Sequence, residues 1–341
     1  LVSVAGLLVE RRPRAEPGSP GHPGPWGGGA AVALALVALL GGALLPPSIR
    51  PPARGVSLYE AESEYGYIQV AQVGTQRQLI LNEGEAVHSV YDPGTVLTGG
   101  YWDYFALAPL LANRAYSGQA PRSALIVGLA GGTVARELTA AFPGIQIDGV
   151  EIDPRIIEVG RRYFGMTEPN LRAVAADGRY FLETTPRSYD LIVVDAYRQP
   201  YIPFQLTTRE FFAQCRLHLT PGGALAVNVG RGPHDDRRLV DAVTGTLGAV
   251  FVDVYQLDVP GYLNTLVYAP QQVIRPAEVA ANLSLPGDVY PGAVLPQVVD
   301  EARAAGTPAL VEPHLPIFTD DLAPVERLVD GIIFGVLRGR R

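Results

Sequence analysis

Ala124-Leu125-Ile126-Val127-Gly128-Leu129-Ala130-Gly131-Gly132-Thr133, followed about twenty residues later by Val150-Glu151-Ile152-Asp153, decides how this chain folds. Four consecutive apolar residues bounded by glycine read as a buried strand. The glycines turn the chain, and residues 134–142 carry a helical pattern. Such a turn lets backbone approach a ligand closely at the carboxyl edge of a sheet. An acidic residue at the tip of the next strand can accept both hydroxyl hydrogens of a ribose. The two elements together predict nucleoside binding, with Gly128, Gly131 and Gly132 against the ligand and Glu151 on the ribose. Asp153 precedes Pro154, which sits where proline is favoured at a helix start, so Asp153 reads chiefly as the helix cap.

Outward from this core, residues 145–152, 171–175, 189–194, 224–229, 250–256 and 265–268 read as further strands. Helical stretches lie between several of them, which means parallel βαβ units. Upstream, residues 58–81 read as a small antiparallel β unit: Tyr59, Tyr65, Tyr67, Ile68 and Val70 favour strands, and Gly66 and Gly74 punctuate them. Residues 87–100 read as loop around the turn Asp92-Pro93-Gly94. Residues 101–113 have helical spacing. Beyond Pro270 the chain is Pro-rich, then helical over about 324–337.

Composition excludes several chemistries. All 27 Lys and Arg positions are arginine. No lysine means no Schiff-base chemistry and no phosphate-binding P-loop lysine. The net charge is −7 with no basic cluster, so no nucleic-acid surface is expected. The lone Cys215 excludes internal disulfides and reads as a packing residue. His22, His218, His234 and His314 have no metal spacing, and no metal is expected. At the start, residues 1–9 are apolar, Arg11, Arg12 and Arg14 follow, and residues 30–45 form an apolar run closed by Pro46 and Pro47. That run reads as a membrane helix, with a signal peptide as the alternative, and the chain as the C-terminal portion of a longer membrane protein. The arginines favour a cytoplasmic flank before the run, whereas a cytosolic cofactor argues for the catalytic part inside. The side stays open.

Two more strand tips carry chemistry. Ala176-Asp177-Gly178 follows the third strand, where Asp177 can accept the adenine amino hydrogens or cap a helix, or both. Val193-Val194-Asp195-Ala196-Tyr197-Arg198-Gln199-Pro200 ends the fourth. A carboxylate there is a catalytic candidate, and Tyr197 and Tyr201 either line the pocket or pack as a lid.

These four motifs together resemble the spermidine synthase (polyamine aminopropyltransferase) family, and most closely its membrane-fused bacterial branch. The resemblance covers about 58–269, and the tail Phe318-Thr319-Asp320-Asp321-Leu322-Ala323-Pro324-Val325-Glu326 is similar to that branch's C-terminal signature. It implies decarboxylated S-adenosylmethionine as aminopropyl donor, a small amine as acceptor, Asp195 as the catalytic aspartate, and a homodimer. In Leu81-Asn82-Glu83-Gly84-Glu85-Ala86-Val87-His88, His88 stands where the family has a cofactor-binding glutamine. Three positions depart from the pattern. Ala130 stands where the glycine loop carries an aspartate that helps hold the aminopropyl ammonium. Arg198 stands where a second aspartate follows the first, a cation where a diamine binds. Tyr101-Trp102-Asp103-Tyr104 replaces a tyrosine-histidine-glutamate segment, with Tyr101, Asp103 and Tyr197 as substrate residues. Asp320, Asp321 and Glu326 either attract a cationic substrate or make the acidic first turn of a helix.

The expected fold is α/β: a seven-stranded, Rossmann-like class I methyltransferase-type sheet preceded by a small antiparallel β unit and an N-terminal membrane helix. The expected divisions are 1–55 membrane segment and linker, 56–100 β unit, 101–270 catalytic domain with cofactor sites at Gly128, Gly131, Gly132, Glu151, Asp177, Gly178 and His88, and 271–341 extension. The leading function is aminopropyl transfer in a membrane-anchored enzyme. The alternatives are a methyltransferase using intact S-adenosylmethionine and a non-catalytic adenosyl-ligand sensor.

Overall fold

A computed structural model describes residues 50–82, 86–112, 116, 118–197, 201–312 and 316–339. The apolar run 30–45, His22, Arg198 and His314 lie outside the described residues. Among those described, no helix is long and apolar enough to cross a membrane.

Strands β1 (Val56–Glu62), β2 (Tyr67–Val73), β3 (Gln76–Leu81) and β4 (Val87–Tyr91) pair antiparallel in sequence order. Ile68, Val70 and Leu79 pack on Ile156, Val159 and Phe164 of the α/β part. The fourth strand corrects the loop reading of 87–100: Arg77 to Ile80 of β3 find their ladder partners there. The Asp92-Pro93-Gly94 turn is present just beyond it, with Gly94 N donating to Asp92 Oδ1 at 2.8 Å. Strand β4 also docks this sheet. Ser89 Oγ accepts from Gly131 N at 2.8 Å, and Thr133 Oγ1 accepts from Val90 N at 2.9 Å. A 3-10 segment, Tyr101–Leu111, follows, with Trp102 through Leu111 buried.

The α/β part then runs β5 (Ser123–Val127), α1 (Thr133–Ala141), β6 (Gln146–Glu151), α2 (Pro154–Tyr163), β7 (Leu171–Ala175), α3 (Gly178–Thr184), β8 (Tyr189–Val194), α4 (Arg209–Leu217), β9 (Leu219–Gly230), α5 (Arg238–Gly248), β10 (Tyr255–Asp258) and β11 (Asn264–Pro270). The sheet order is β12-β10-β11-β9-β8-β5-β6-β7, where β12 is the two-residue edge Ala309–Leu310. Strands β5 to β9 are parallel, β11 runs against them, and β10, antiparallel to β11, shares their direction. The sheet therefore has eight strands rather than seven, the extra one being this short edge. Both faces of the centre are covered, so β8 is apolar without a break from Leu191 to Val194: Leu191 and Val193 face one core cluster, Ile192 and Val194 the other.

The chain beyond Pro270 is more ordered than its prolines suggest. Helices α6 (Pro276–Asn282) and α7 (Leu295–Ala305) each carry proline in the first turn, where its missing N–H costs nothing, and α8 (Val325–Gly339) follows. Asn282 Nδ2 donates to Leu110 O at 2.8 Å, and Leu295, Val298 and Val299 join the cluster under the 3-10 segment.

The register fixes the site. Val127 stands opposite Val150 on one side and Val194 on the other, and Val194 opposite Val227. One residue further on, Gly128, Glu151, Asp195 and Asn228 therefore stand at the carboxyl ends of four adjacent strands. The order reverses between β5 and β8, so these tips border the crevice of an open α/β sheet.

Candidate active site

A cleft of about 640 Å³ opens over these strand tips. Gly128, Ala130, Glu151, Asp153, Asp177, Gly178, Asp195, Tyr197 and His88 line it, together with Glu64 to Ile68 of the small sheet, Tyr201 to Leu206 after β8, and Glu326 of α8. Most of the residues singled out from the sequence thus meet in one place.

Gly128 adopts φ of 91°, and a Cβ there would stand 2.6 Å from Asp195 O and 2.8 Å from Ala196 Cα. Glycine is required because two strand ends nearly touch. Gly178 is equally constrained, since a Cβ would meet Val127 Cγ1 at 2.4 Å. Gly131 and Gly132 differ: they do not line the cleft. A Cβ on Gly131 would press on Ser89 and Phe164, and one on Gly132 on Met166. Their smallness admits the docked β sheet and the loop after α2, not a ligand.

Glu151 is buried, accepting from Ala130 N at 2.9 Å and Asp153 N at 3.2 Å. Burial raises its carboxyl pKa, and those two N–H donors oppose the rise. Ala130 itself holds φ of 47°, a left-handed conformation that costs alanine but that aspartate adopts more readily. Asp153 caps α2 by accepting from Arg155 N and also accepts from Ser63 Oγ, tying the first hairpin to the cleft rim. Asp177 caps α3 through Tyr180 N at 2.9 Å and also lines the cleft.

Asp195 carries the chemistry the position allows. Asn228 Nδ2 donates to its Oδ1 at 2.8 Å, and Tyr101 OH reaches its Oδ2 at 3.4 Å. Burial pushes its pKa up to about 7 against the pull of those two donors. A carboxyl group poised there can take a proton at neutral pH. Tyr197 sits beside it, its hydroxyl donating to Asn228 O at 3.2 Å and accepting from Gly230 N at 2.6 Å. Burial, then Asp195, holds both tyrosines protonated.

His88 makes no hydrogen bond among the described residues, and its Nε2 is buried without a partner. Burial lowers its pKa to about 4, so the ring is neutral. An orphaned polar atom beside a cleft costs stability until something pairs with it.

Asp103 is placed elsewhere. It is buried and accepts from Thr98 N at 3.0 Å, Thr98 Oγ1 at 2.8 Å and Gly99 N at 2.9 Å, so it closes the turn that starts the 3-10 segment and does not line the cleft. Behind it lies Glu137, whose pKa is raised by burial and by Asp103. Asp320 pairs with Arg179 at 2.6 Å and accepts from Thr208 Oγ1 at 2.7 Å. It straps the C-terminal segment down, whereas Glu326, in the first turn of α8, faces the cleft. Asn228, Ser89 and Glu64 were not singled out from the sequence. A lone amide in the apolar run of β9, level with Asp195, was the available signal for Asn228. Cys215 is buried in packing, as expected. No group of metal-ligating residues occurs among the described residues.

A family model described as the spermine/spermidine synthase domain matches residues 107–270. A probable polyamine aminopropyl transferase of Bifidobacterium longum is 34% identical over 285 residues, covering 79% of this chain and 61% of that protein. A polyamine aminopropyltransferase of Vibrio vulnificus is 32% identical over 166 residues, 47% of this chain and 52% of that protein. This chain thus spans less than two thirds of either relative. The crystal structure of a probable spermidine synthase from Corynebacterium glutamicum overlays with a TM-score of 0.56 at 20% identity, covering 78% of this chain and all of that one, which establishes the shared fold.

Proposed function

We propose that this chain, whose residues 107–270 match the spermine/spermidine synthase domain, transfers an aminopropyl group from decarboxylated S-adenosylmethionine to a small amine. The observation that carries this reading is the charge of the cleft. Glu64, Glu151, Asp153, Asp177, Asp195 and Glu326 line it, and no arginine does among the described residues. A phosphate-bearing dinucleotide would meet only repulsion there, whereas a sulfonium, a primary ammonium and a cationic acceptor are each favoured.

The residues fit the donor. Glu151 takes the ribose hydroxyls, Asp177 the adenine amino group, Gly128 and Gly178 leave room for backbone approach, and the orphaned His88 offers a neutral imidazole. The donor supplies a carbon made electrophilic by its sulfonium. The acceptor nitrogen attacks that carbon, a C–N bond forms as the C–S bond breaks, and the electron pair stays on sulfur to give methylthioadenosine. Asp195 takes the proton the nitrogen must lose, and Tyr101 and Asn228 hold its carboxylate in place. Proximity accounts for much of the rate.

The methyltransferase reading rests on Ala130, which leaves the glycine loop without the ammonium-holding carboxylate. The acidic lining argues against it, because intact S-adenosylmethionine would bring its own carboxylate among these groups. Asp195→Asn tests catalysis against sensing: an enzyme loses turnover and keeps methylthioadenosine affinity, while a sensor has no turnover to lose. The arginine-flanked apolar run 30–45 supports placing the enzyme on a membrane, in the fused branch, and a homodimer is its proposed assembly. Recovery of the chain in the soluble fraction, or as a monomer in sedimentation, would overturn these.

A further inference from the structure

The carboxylate of Asp195 stands at the end of a side-chain relay that starts two strands away. Asn228, 2% exposed, donates through Nδ2 to Asp195 Oδ1 at 2.8 Å. Its own Oδ1 accepts from Asn264 Nδ2 at 2.9 Å. Asn264 opens β11 opposite Gly230, and Asn228 lies two residues back on β9, so the two side chains are diagonal neighbours on one face of the sheet. Its backbone carbonyl is taken by Tyr197 OH.

An amide has two ends with opposite preferences. With its NH2 toward Asp195, Asn228 favours the ionised carboxylate. Turned over, it presents a carbonyl oxygen that only the protonated acid can satisfy. What separates the two states is the partner at the far end. Asn264 supplies a donor there, so the first orientation leaves no buried oxygen unpaired.

We propose that Asn264 is a positioning residue that, acting through Asn228, keeps Asp195 in the carboxylate form needed to accept the amine proton. The proposal rests on the aminopropyl-transfer reading for its purpose, but the relay itself is a property of the free chain. The groups facing Asp195 are Asn228 from β9, Tyr101 from the 3-10 segment and Tyr197 beyond its own strand, and Glu137 lies behind Tyr101. Both tyrosines stay protonated through the neutral range, and burial raises the Glu137 carboxyl, so the titration is read on the aspartate carboxyl itself and not from the rate profile alone.

The test uses the full chain with Asn264→Leu, which removes the donor, and Asn264→Asp, which inverts it by offering only acceptors. The carboxyl titration of Asp195 is followed by carbon-13 NMR with labelled aspartate, and the pH profile of kcat/KM is recorded for decarboxylated S-adenosylmethionine and a diamine. The midpoint and the acid limb should rise by about one pH unit in Asn264→Leu and further in Asn264→Asp, so that kcat/KM drops about tenfold at pH 6 and much less at pH 9. Methylthioadenosine affinity should be unchanged, which also reports that each variant is folded. An unmoved midpoint in both folded variants, or a loss equal at every pH, would overturn the proposal. If the wild-type chain had no aminopropyl turnover, the functional reading would fall while the NMR titration still decided the relay.

Discussion

Replacing Gly128 by alanine puts the strand-tip geometry to its hardest test. At φ of 91° an alanine pays about 1–2 kcal/mol for the left-handed backbone alone. Its Cβ would stand 2.6 Å from Asp195 O and 2.8 Å from Ala196 N. Both neighbours are backbone, so no rotamer relieves the contact, and β5 and β8 must part by roughly half an ångström or more. Adding an overpacking cost of about 1–3 kcal/mol gives a total loss of about 2–5 kcal/mol. For a chain of this size that lowers the melting temperature by roughly 3–7 °C. The displacement falls on the residue that carries Asp195, so function should suffer beyond stability: a shift approaching 1 Å in a reacting group costs about a hundredfold in rate. Thermal denaturation and titration with methylthioadenosine, followed by turnover measured well below the melting point, read out the three effects. A variant that melts within a degree of wild type and turns over normally would mean that the two strand tips are not as close as described.

Four further outcomes rest on the same geometry. Asp195 has its pKa raised to about 7, so it contributes stability that is present below the unfolded carboxyl value and lost as pH rises through about 7; Asp195→Asn should abolish turnover yet melt higher relative to wild type at pH 8 than at pH 5. Glu151→Gln should weaken methylthioadenosine binding by about tenfold to a hundredfold through lost charge-assisted bonds, and leave free adenine unaffected in the same calorimeter. Ala130→Asp should be tolerated at its positive φ and add a carboxylate to the cleft lining, raising the preference for decarboxylated over intact S-adenosylmethionine in competitive binding. Asp148 is buried between Arg172 at 2.7 Å, Arg187 at 3.1 Å and Tyr189 OH at 2.7 Å. Burial raises its pKa but the Arg172 and Tyr189 bonds carry it below the usual value. That stability is present at neutral pH and lost as pH falls through the lowered value, so Asp148→Asn should cost about 2 kcal/mol at pH 7, discounted for the half-exposed arginines, and progressively less in acid.

What the sequence made legible was the gathering of polar residues at strand ends. Gly128, Glu151, Asp177 and Asp195 each close or follow a strand-like stretch, and a parallel sheet has to gather such tips along one edge. Side chains whose role depends on a tertiary neighbour were opaque. Gly131 and Gly132 look like ligand glycines, but their neighbours are Ser89, Phe164 and Met166, which approach only once β4 and the loop after α2 are docked. Asp103 looks like a substrate acid in an aromatic stretch, yet the turn at Thr98 and Gly99 folds back onto it. Strand β4 was hidden because five residues next to a strong turn signal carry little pattern of their own, and its identity comes from β3. Helices α6 and α7 were hidden because a proline in the first turn and a proline that breaks a helix are the same letter. Asn228 reads as a blemish in an apolar strand until the register sets it level with Asp195.

Aminopropyl transfer is tested most simply by incubating the full chain with decarboxylated S-adenosylmethionine and a series of amines and following both products by mass spectrometry. Methylthioadenosine and an aminopropyl-extended amine should appear in equal amounts, with the rate rising as pH passes through about 7. Production of S-adenosylhomocysteine and a methylated acceptor from intact S-adenosylmethionine, with no turnover of the decarboxylated donor by the same folded chain, would contradict it.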